Sequence, residues 1–595
     1  MIDEIQRIFD AFNIDPAFFS YNDDVCLSNN DEINNFKMKY AICKYVDPHS
    51  ILGITGGSGC PFTAFFLASP DAEYLGIKSF VRIETDKSLQ KSQIKKTFPQ
   101  VKFRFIFENI PHMEKFPGVF YDLIYIEGLN EGDDIFHCLE MALEKGSWIL
   151  IDGYFMSKER MLSITYFLEK YQIFIDFSLI LSNFSGKLLI KTKTSAKHIF
   201  SKEDRAHYSS LQDTYDNRYF MQDCGGYDSF KKYHGQKLED PRLVAAFCLA
   251  NPEKSKTILD IGCGRGELAF ALAMTGADVI GIDYSQSAIN IAISTFVVNK
   301  NLLNLHFICA DFLAWETPEK YDVVIATDII EHIESAPLQK VMQKISSLLK
   351  PSGVAILHTA PNKHYYDKYY SHLRLKAREI GSYLPENPRT YYEDLMHINE
   401  QTPEELSSLL EKNFSNFRVW VARDLEMIGS LDENYPLEAI DEARGIFGIA
   451  SNAPILFDKI VELLSQYPVD REKIKVRLQV TNSIRTVNVS QIFSLSITII
   501  NDSPVRLGSL PPYPIHLSYH WQDREGNVVV FEGERTQITP PIRSNDAREL
   551  TMNVIAPSKS GEFTLQLTMV QEFTFWFEDF TPDLPISLEF LIMDE

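Results

Sequence analysis

Residues 257–266 read Thr-Ile-Leu-Asp-Ile-Gly-Cys-Gly-Arg-Gly: a short apolar run, an acid, then three glycines at alternate positions. Asp283 follows 17 residues after Gly266, at the end of a second apolar run, Val-Ile-Gly-Ile. A run of this length without polar alternation is a strand buried on both faces. The glycines let the backbone turn sharply after it and come close to a ligand without a Cβ in the way. Strand, tight turn, helix and second strand tipped by an acid form a nucleoside-binding unit, which restricts the surrounding chain to a parallel α/β arrangement.

The flanking sequence keeps this alternation. Strands are expected at 257–261, 278–282, 305–309, 321–326 and 353–359, with helices at 266–274, 285–299 and 336–349. Such alternation gives a parallel sheet covered by helices on both faces, with ligands at the carboxyl ends of the strands. Asp260, Asp283, Asp311 and Asp328 all fall at those ends.

The first 195 residues repeat the pattern. Residues 51–59 (Ile-Leu-Gly-Ile-Thr-Gly-Gly-Ser-Gly) align with 258–266 at an offset of 207. Glu84 aligns with Asp283, Glu108 with Asp311, Tyr121-Asp122 with Tyr321-Asp322, and Lys145-Gly146 with Ser352-Gly353, all in order and at nearly constant spacing. Self-similarity of this kind is the mark of a duplicated unit. Beyond about residue 470 the pattern changes to β-branched runs at 474–481, 490–500, 513–521, 527–532, 548–555, 562–572 and 585–592. Turn residues separate them, as in an antiparallel sandwich. The expected domains are 1–195, 196–465 and 470–595, with linkers at 196–212 and 465–472.

A formal charge of −23 opposes wrapping by nucleic acid, which needs clustered Lys and Arg. The start, Met-Ile-Asp-Glu-Ile-Gln-Arg, lacks the basic and apolar regions of a signal peptide, and no apolar stretch reaches the roughly 18 residues of a membrane span. Eight scattered cysteines without a Cys-x-x-Cys pair suit reduced thiols, so a cytoplasmic location without membrane insertion is expected.

Three nucleoside-binding patterns compete for 257–283. A dinucleotide fingerprint needs glycine at 267, where Glu stands, and a phosphate loop needs Gly-Lys-Ser or Gly-Lys-Thr, which is absent. The remaining pattern, Asp-x-Gly-x-Gly-x-Gly after a strand, resembles motif I of the class I S-adenosylmethionine-dependent methyltransferases. Asp283, Ala310-Asp311-Phe312, Tyr321-Asp322, Thr327-Asp328-Ile-Ile-Glu331-His332 and Leu349-Lys350-Pro351-Ser352-Gly353 extend the resemblance over about 205–450.

The resemblance implies S-adenosyl-L-methionine as cofactor, with Asp260, Gly262, Cys263, Gly264, Gly266, Asp283, Tyr284, Asp311, Phe312 and Thr327 forming its site. Asp283 would accept the ribose hydroxyls, and Asp311 and Phe312 would meet the adenine. His332 and Asp328 are the catalytic candidates, His332 as the base that removes a hydroxyl proton from the acceptor. The alternative is that Glu331-His332 only organises the loop. No metal is assigned to this site.

Upstream, Tyr215–Phe220, Gly225-Gly226-Tyr227 and Tyr233-His234-Gly235 resemble the family's N-terminal lid. Downstream, His364, Tyr365, Tyr366, Tyr369, Tyr370, Tyr391, Tyr392 and His397 suit either stacking on a sugar or ring acceptor, or a helical cover over the sheet. Thr402 is the expected N-cap of the following helix. In the first copy Gly53 and Thr55 replace the motif I acid and first glycine, while Glu127 and Asp152 stand where some relatives bind a divalent metal. In the last region Trp521 reads as core and Trp576 and Phe577 as surface. The sandwich resembles immunoglobulin-like modules of polysaccharide-processing enzymes, which implies glycan binding or homo-oligomer contact.

The resulting expectation is two tandem Rossmann-like α/β methyltransferase domains, the first partly degenerate, followed by an all-β immunoglobulin-like sandwich. The central domain would O-methylate a small-molecule or glycan acceptor, in polysaccharide biosynthesis. A bifunctional enzyme with two active copies, and a binding or scaffold protein with vestigial copies, are the alternatives.

Overall fold

The computed structural model describes residues 1–13, 30–55, 62–78, 96, 98–108, 113–127, 132–181, 186–193, 215–222, 224–297, 302–423, 426–430, 441–481 and 484–594. Residues 56–59 of the repeated glycine turn, Glu84 and the expected linker 196–212 lie outside the described residues.

The first sheet contains β1 (Ser50–Thr55), β2 (Glu73–Lys78), β3 (Lys102–Phe107), β4 (Tyr121–Glu127), β5 (Gly146–Ile151), β6 (Ile175–Leu181) and β7 (Lys187–Thr192), in the order β3-β2-β1-β4-β5-β7-β6. The second contains β8 (Thr257–Ile261), β9 (Asp278–Asp283), β10 (Leu305–Cys309), β11 (Tyr321–Thr327), β12 (Leu349–Thr359), β13 (Asn416–Arg423), β14 (Glu426–Ser430) and β15 (Gly445–Ser451). Its order is β10-β9-β8-β11-β12-β15-β13-β14, the same winding with one added edge strand. In each sheet the first five strands run parallel, and β7 or β15 joins antiparallel. Strand order reverses between β1 and β4 and between β8 and β11, where such sheets open a crevice for a ligand. The α/β duplication expected from the offsets is therefore present in the topology.

Local chemistry explains the element boundaries. Helix Pro241–Ala250 begins with Asp240, whose carboxylate accepts from the Arg242 amide at 3.1 Å, and ends in left-handed Asn251. Thr402 caps helix Pro403–Glu411 as expected. Its hydroxyl accepts from the Glu405 amide at 3.1 Å, and the Glu405 carboxylate accepts from the Thr402 amide at 2.8 Å. Helix Gln286–Ala292 continues into a π turn, Ile293–Val297, in place of the single helix 285–299 expected.

Two compact units emerge: Met1–Ser210 with Tyr370–Asp394, and Leu211–Tyr369 with Leu395–Glu595. The second therefore includes both the second α/β sheet and the all-β C-terminal region. In that region all seven expected strands form, in two sheets over a shared core. Trp521 is fully buried and its indole N–H donates to the Ile555 carbonyl at 2.9 Å. Phe577 corrects the surface reading, because it is also fully buried in this core, whereas Trp576 is half-buried. The segment expected to be a linker near 465–472 is pinned: the Gln571 side chain bonds to the Val469 amide and to the Tyr467 carbonyl. Among the described residues no helix is long and apolar enough to cross a membrane.

Candidate active site

The glycine turn is tied to the neighbouring strand by its backbone. The amides of Gly262 and Cys263 both donate to the Ile282 carbonyl, at 2.8 and 3.2 Å. Gly262, Gly264 and Gly266 have φ of +67°, +51° and +84°, in the left-handed region that favours glycine. Space matters differently at each position. A Cβ on Gly262 would lie 2.2 Å from Ile329 Cγ2, and one on Gly266 would lie 2.7 Å from the Phe307 ring. At Gly264 the nearest atom would be 3.8 Å away, on Phe220, so this part of the turn faces open space.

That space is a cavity of about 490 Å³ at the carboxyl ends of β8, β9 and β11. It gathers Asp260, Gly262, Cys263, Gly264, Asp283, Tyr284, Asp311, Phe312, Thr327, Asp328 and His332; Gly266, of the residues expected there, does not line it. Tyr215, Tyr219 and Phe220 of the expected lid also line it, with the Tyr215 ring against Tyr284 and His332 at 5.2 and 5.7 Å. None of the tyrosines of 365–392 does. Tyr370, Tyr391 and Tyr392 instead belong to the first unit.

Asp283 is oriented through both oxygens, one accepting from the Gly264 amide at 3.0 Å and the other from the Ser285 amide at 2.8 Å. Burial pushes its carboxyl up to about 6, against the pull of these two donors. Asp260 is buried deeper, and its Oδ2 has no hydrogen-bond partner among the described residues. Burial, with the negative charges of Asp283 and Glu267, raises it to about 8. Asp311 is exposed, with one carboxylate oxygen on the Leu313 amide.

At the tip of β11, Asp328 adopts φ +53°. Its carboxylate accepts from Arg242 and lies 2.6 Å from His358 Nδ1. Burial opposes its ionisation, yet Arg242 and then His358 hold it well below the usual carboxylate range. His332 Nδ1 lies 3.2 Å from the Met396 carbonyl, so the proton assigned there leaves Nε2 as the basic nitrogen. Burial and the neighbouring His397 lower His332 to about 4. Behind it, the Glu331 carboxylate accepts from the Thr359 hydroxyl at 2.7 Å, and burial, reinforced by Asp328, raises its pKa. Glu331, His332 and His397 bring ligand-type atoms within 4.8 Å of one another, a grouping suited in chemistry to a divalent cation.

Two arginines escaped the sequence reading. Arg265, inside the glycine turn, is buried and donates to the carbonyls of Phe220, Cys224 and Gly225, fastening the lid segment to the turn. Arg242 fastens the β11 tip to the helix starting at Pro241. A charged residue between glycines is a visible signal for the first; the second has none, since its partner lies 86 residues away.

In the first unit Asp152 accepts from Lys187 at 2.6 Å and pairs with Lys39 at 3.1 Å, and Lys39 also reaches Glu127 at 3.1 Å. Burial raises Asp152, but Lys39 and Lys187 outweigh it and leave the carboxyl at about 2. Burial lowers Lys187 to about 8. Carboxylates already neutralised by two ammonium groups do not fit the divalent ion suggested for Glu127 and Asp152.

Residues 233–420 match the family described as "Methyltransferase domain". The ubiquinone biosynthesis O-methyltransferase of Rickettsia prowazekii (strain Madrid E) is 34% identical over 134 residues, 22% of this chain and 50% of that protein. The protein of the same name from Coxiella burnetii (strain Dugway 5J108-111) is 29% identical over 150 residues, 25% of this chain and 61% of that protein. The chain thus spans 50% and 61% of the lengths of these relatives. The structure of magnesium protoporphyrin IX methyltransferase from Synechocystis PCC 6803 with bound SAH is 18% identical, covering 42% of this chain and 100% of that one, with a TM-score of 0.27.

Proposed function

We propose that this chain, whose residues 233–420 form a class I methyltransferase domain, moves a methyl group from S-adenosylmethionine to a hydroxyl of a small molecule in the central cavity. The observation that carries this reading is Asp283: a carboxylate at a strand tip, aimed by the amide of a glycine turn, lining the same cavity as Asp260 and His332. The fit is supported by the orphaned Asp260 Oδ2 and by the open side of Gly264, an unpaired polar atom and a bare backbone where a polar nucleoside-type ligand needs them.

The cofactor, when bound, supplies a methyl group activated on a sulfonium. Asp260, the backbone of 262–264, Asp283, Tyr284, Asp311 and Phe312 would hold it. Asp283 keeps a second lone pair on each oxygen for ribose hydroxyls. His332 is the base: it is neutral at pH 7, its Nδ1 is engaged by the Met396 carbonyl, and Nε2 takes the acceptor proton. The negative charge of Asp328 favours the cation that forms, since it raises the His332 pKa against burial. Asp328, held by Arg242 and His358, is a positioning residue. Alignment of donor and acceptor contributes most of the acceleration, up to roughly 7–11 kcal/mol.

Leu313, Ile329, Ile333 and Ile398 also line the cavity, and the two lining arginines are both paired. This favours an uncharged, largely apolar hydroxylated acceptor, in keeping with the small-molecule O-methyltransferases among the relatives. A glycan acceptor, and a place in polysaccharide biosynthesis, gain no support from this lining or from the displaced tyrosines. The test is methyl transfer by the full chain from labelled S-adenosylmethionine to phenols, quinols and sugars. Transfer to phenols that is lost in Asp283→Ala supports the reading; no transfer, together with no S-adenosylhomocysteine binding, overturns it.

The grouping of Glu331, His332 and His397 favours a second reading of the catalytic step, in which these residues hold a divalent cation that lowers the pKa of the acceptor hydroxyl. Chelation with EDTA separates the two: activity survives if His332 is the base and disappears if the cation does that work.

A further inference from the structure

Within the second unit, one arginine of the C-terminal β region reaches two helices of the α/β sheet. Arg543 donates to the carbonyl of Pro252, two residues past helix Pro241–Ala250, and at 3.2 Å to that of Thr275, two residues past helix Glu267–Ala273. Neither helix needs it as a cap. Lys256 already donates to the Ala250 and Asn251 carbonyls at 3.0 and 2.8 Å. The Thr275 hydroxyl and amide both close on the Leu272 carbonyl, at 2.7 and 3.1 Å. What Arg543 adds is a tie between the two helix ends, made by the separate N–H groups of one planar guanidinium.

The arginine stands on a held base. Its own carbonyl accepts from the Asn501 side-chain amide at 3.0 Å, and this fully buried amide also donates to the Val505 and Ile542 carbonyls at 2.8 and 3.2 Å. Ile542 is fully buried and exchanges backbone hydrogen bonds with Leu507 at 2.8 and 2.9 Å. Nearby, Leu510 of the β region is buried in one core with Val244, Phe247 and Leu464.

The near ends of the same two helices line the cavity. Arg242 and Leu243 open the first helix, and Glu267 and Leu268 open the second, directly after the glycine turn. Arg242 holds Asp328 at the β11 tip, and the turn presents the Gly264 amide to Asp283. With 10 and 7 residues the helices are only about 15 and 10 Å long, so a shift of their far ends against each other is carried to the cavity.

We propose that Arg543 is a positioning residue for the methyl-transfer site: by fixing the far ends of these helices together, it sets the glycine turn against the Arg242–Asp328 pair. This rests on reading the central cavity as that site. It makes the β region a working part of the transferase fold, not an appended module.

Hydrogen exchange on the full chain tests it, with S-adenosylhomocysteine binding by wild type measured in parallel. Arg543→Met should raise exchange of peptides 240–247 and 326–333, at the cavity, about tenfold. Arg543→Lys, which keeps the charge and a donor, should restore part of the protection. Arg506→Met is the control. Arg506 donates to the Glu462 carbonyl and, at 2.8 Å, to that of Ser465, at the end of helix Phe457–Leu464, which does not line the cavity. This variant should loosen 457–466 and leave both cavity peptides at wild-type protection. If the cavity peptides keep wild-type protection in Arg543→Met, whether or not 250–253 and 274–277 loosen, the proposal is wrong. Should that variant lose protection throughout the unit, Arg543→Gln, which can still donate to one carbonyl, is judged on the same two peptides. Failure of wild type to bind S-adenosylhomocysteine would sink the methyl-donor reading alone, because the exchange comparison does not depend on it.

Discussion

Gly53 stands at the register position in the first sheet that Asp260 holds in the second. Gly53 pairs with Gly76, which pairs with Phe105; Asp260 pairs with Gly281, which pairs with Phe307. The row is preserved and the acid is not. A Cβ on Gly53 would lie 2.0 Å from the Phe62 ring, so an aromatic side chain fills the place where the second sheet keeps a carboxyl. One molecule of S-adenosylhomocysteine should therefore bind per chain in isothermal titration, and Asp260→Ala should abolish it. Gly53→Asp should create no second site and should cost about 2–4 kcal/mol, since it both overpacks the site and buries a charge. Two bound molecules per wild-type chain would refute the single-site assignment.

The elevated carboxyl of Asp260 makes the ligand-free protein sensitive to pH in a defined direction. Its pKa is about 8 when folded, against an ordinary value of about 3.9, so the folded state holds the proton more tightly. Stability from this group is complete below pH 4 and is lost as pH rises through 8. Wild type should lose on the order of 1–3 kcal/mol between pH 5 and pH 8.5 relative to Asp260→Asn, allowing for relaxation of the buried site. Asp283, raised to about 6, adds a change in the same direction that both proteins share. Urea midpoints at the two pH values read the difference, and parallel pH profiles would contradict it.

Arg242 and Asp328 join a helix N-terminus to the β11 tip, with 26% and 20% of their side-chain surface exposed. Removing one partner strands the other charge, but solvent access moderates the cost. Arg242→Met should destabilise by about 1–3 kcal/mol, less than a fully buried pair would. Asp328→Asn keeps the shape beside His358 and loses the charge. It should lower kcat at least about tenfold through misplacement of the His332 loop while leaving S-adenosylhomocysteine affinity within about threefold. Equal loss of affinity and turnover would instead place Asp328 in donor binding.

The sequence was most legible where chemistry is local. The alternate glycines, the Asp283 spacing and the capping pair Thr402/Glu405 each depend on neighbours within one element or the next, and the nearly constant offsets of the two copies repeat that local pattern. What escaped depends on long-range partners. Arg242 meets Asp328 across 86 positions and Lys170 meets Asp394 across 224, and no local pattern marks either. The tyrosine-dense stretch 365–392 shows the same limit: composition suited either stacking on an acceptor or a helical cover over the sheet, and the first finds no support, since none of these tyrosines lines the cavity and Tyr370, Tyr391 and Tyr392 belong to the first unit. Phe577 looked exposed because it follows a strand end, yet it lies in a 3-10 turn that directs it into the β core.

Gly262 and Gly264 share a backbone conformation but differ in surroundings, which separates folding from binding. At Gly262 an alanine would be strained by its φ and would strike Ile329 at 2.2 Å. Gly262→Ala should therefore cost about 2–4 kcal/mol, and Ile329→Ala should recover part of that loss in a double-mutant cycle. At Gly264 only the φ is unfavourable, since the nearest atom would be 3.8 Å away. Gly264→Ala should cost only about 1–2 kcal/mol, yet its methyl group enters the cavity beside Asp283 and should weaken S-adenosylhomocysteine binding at least about tenfold. Thermal melts and titrations on the same samples check both. Unchanged binding in Gly264→Ala would mean that the open side of the turn is not where the ligand sits.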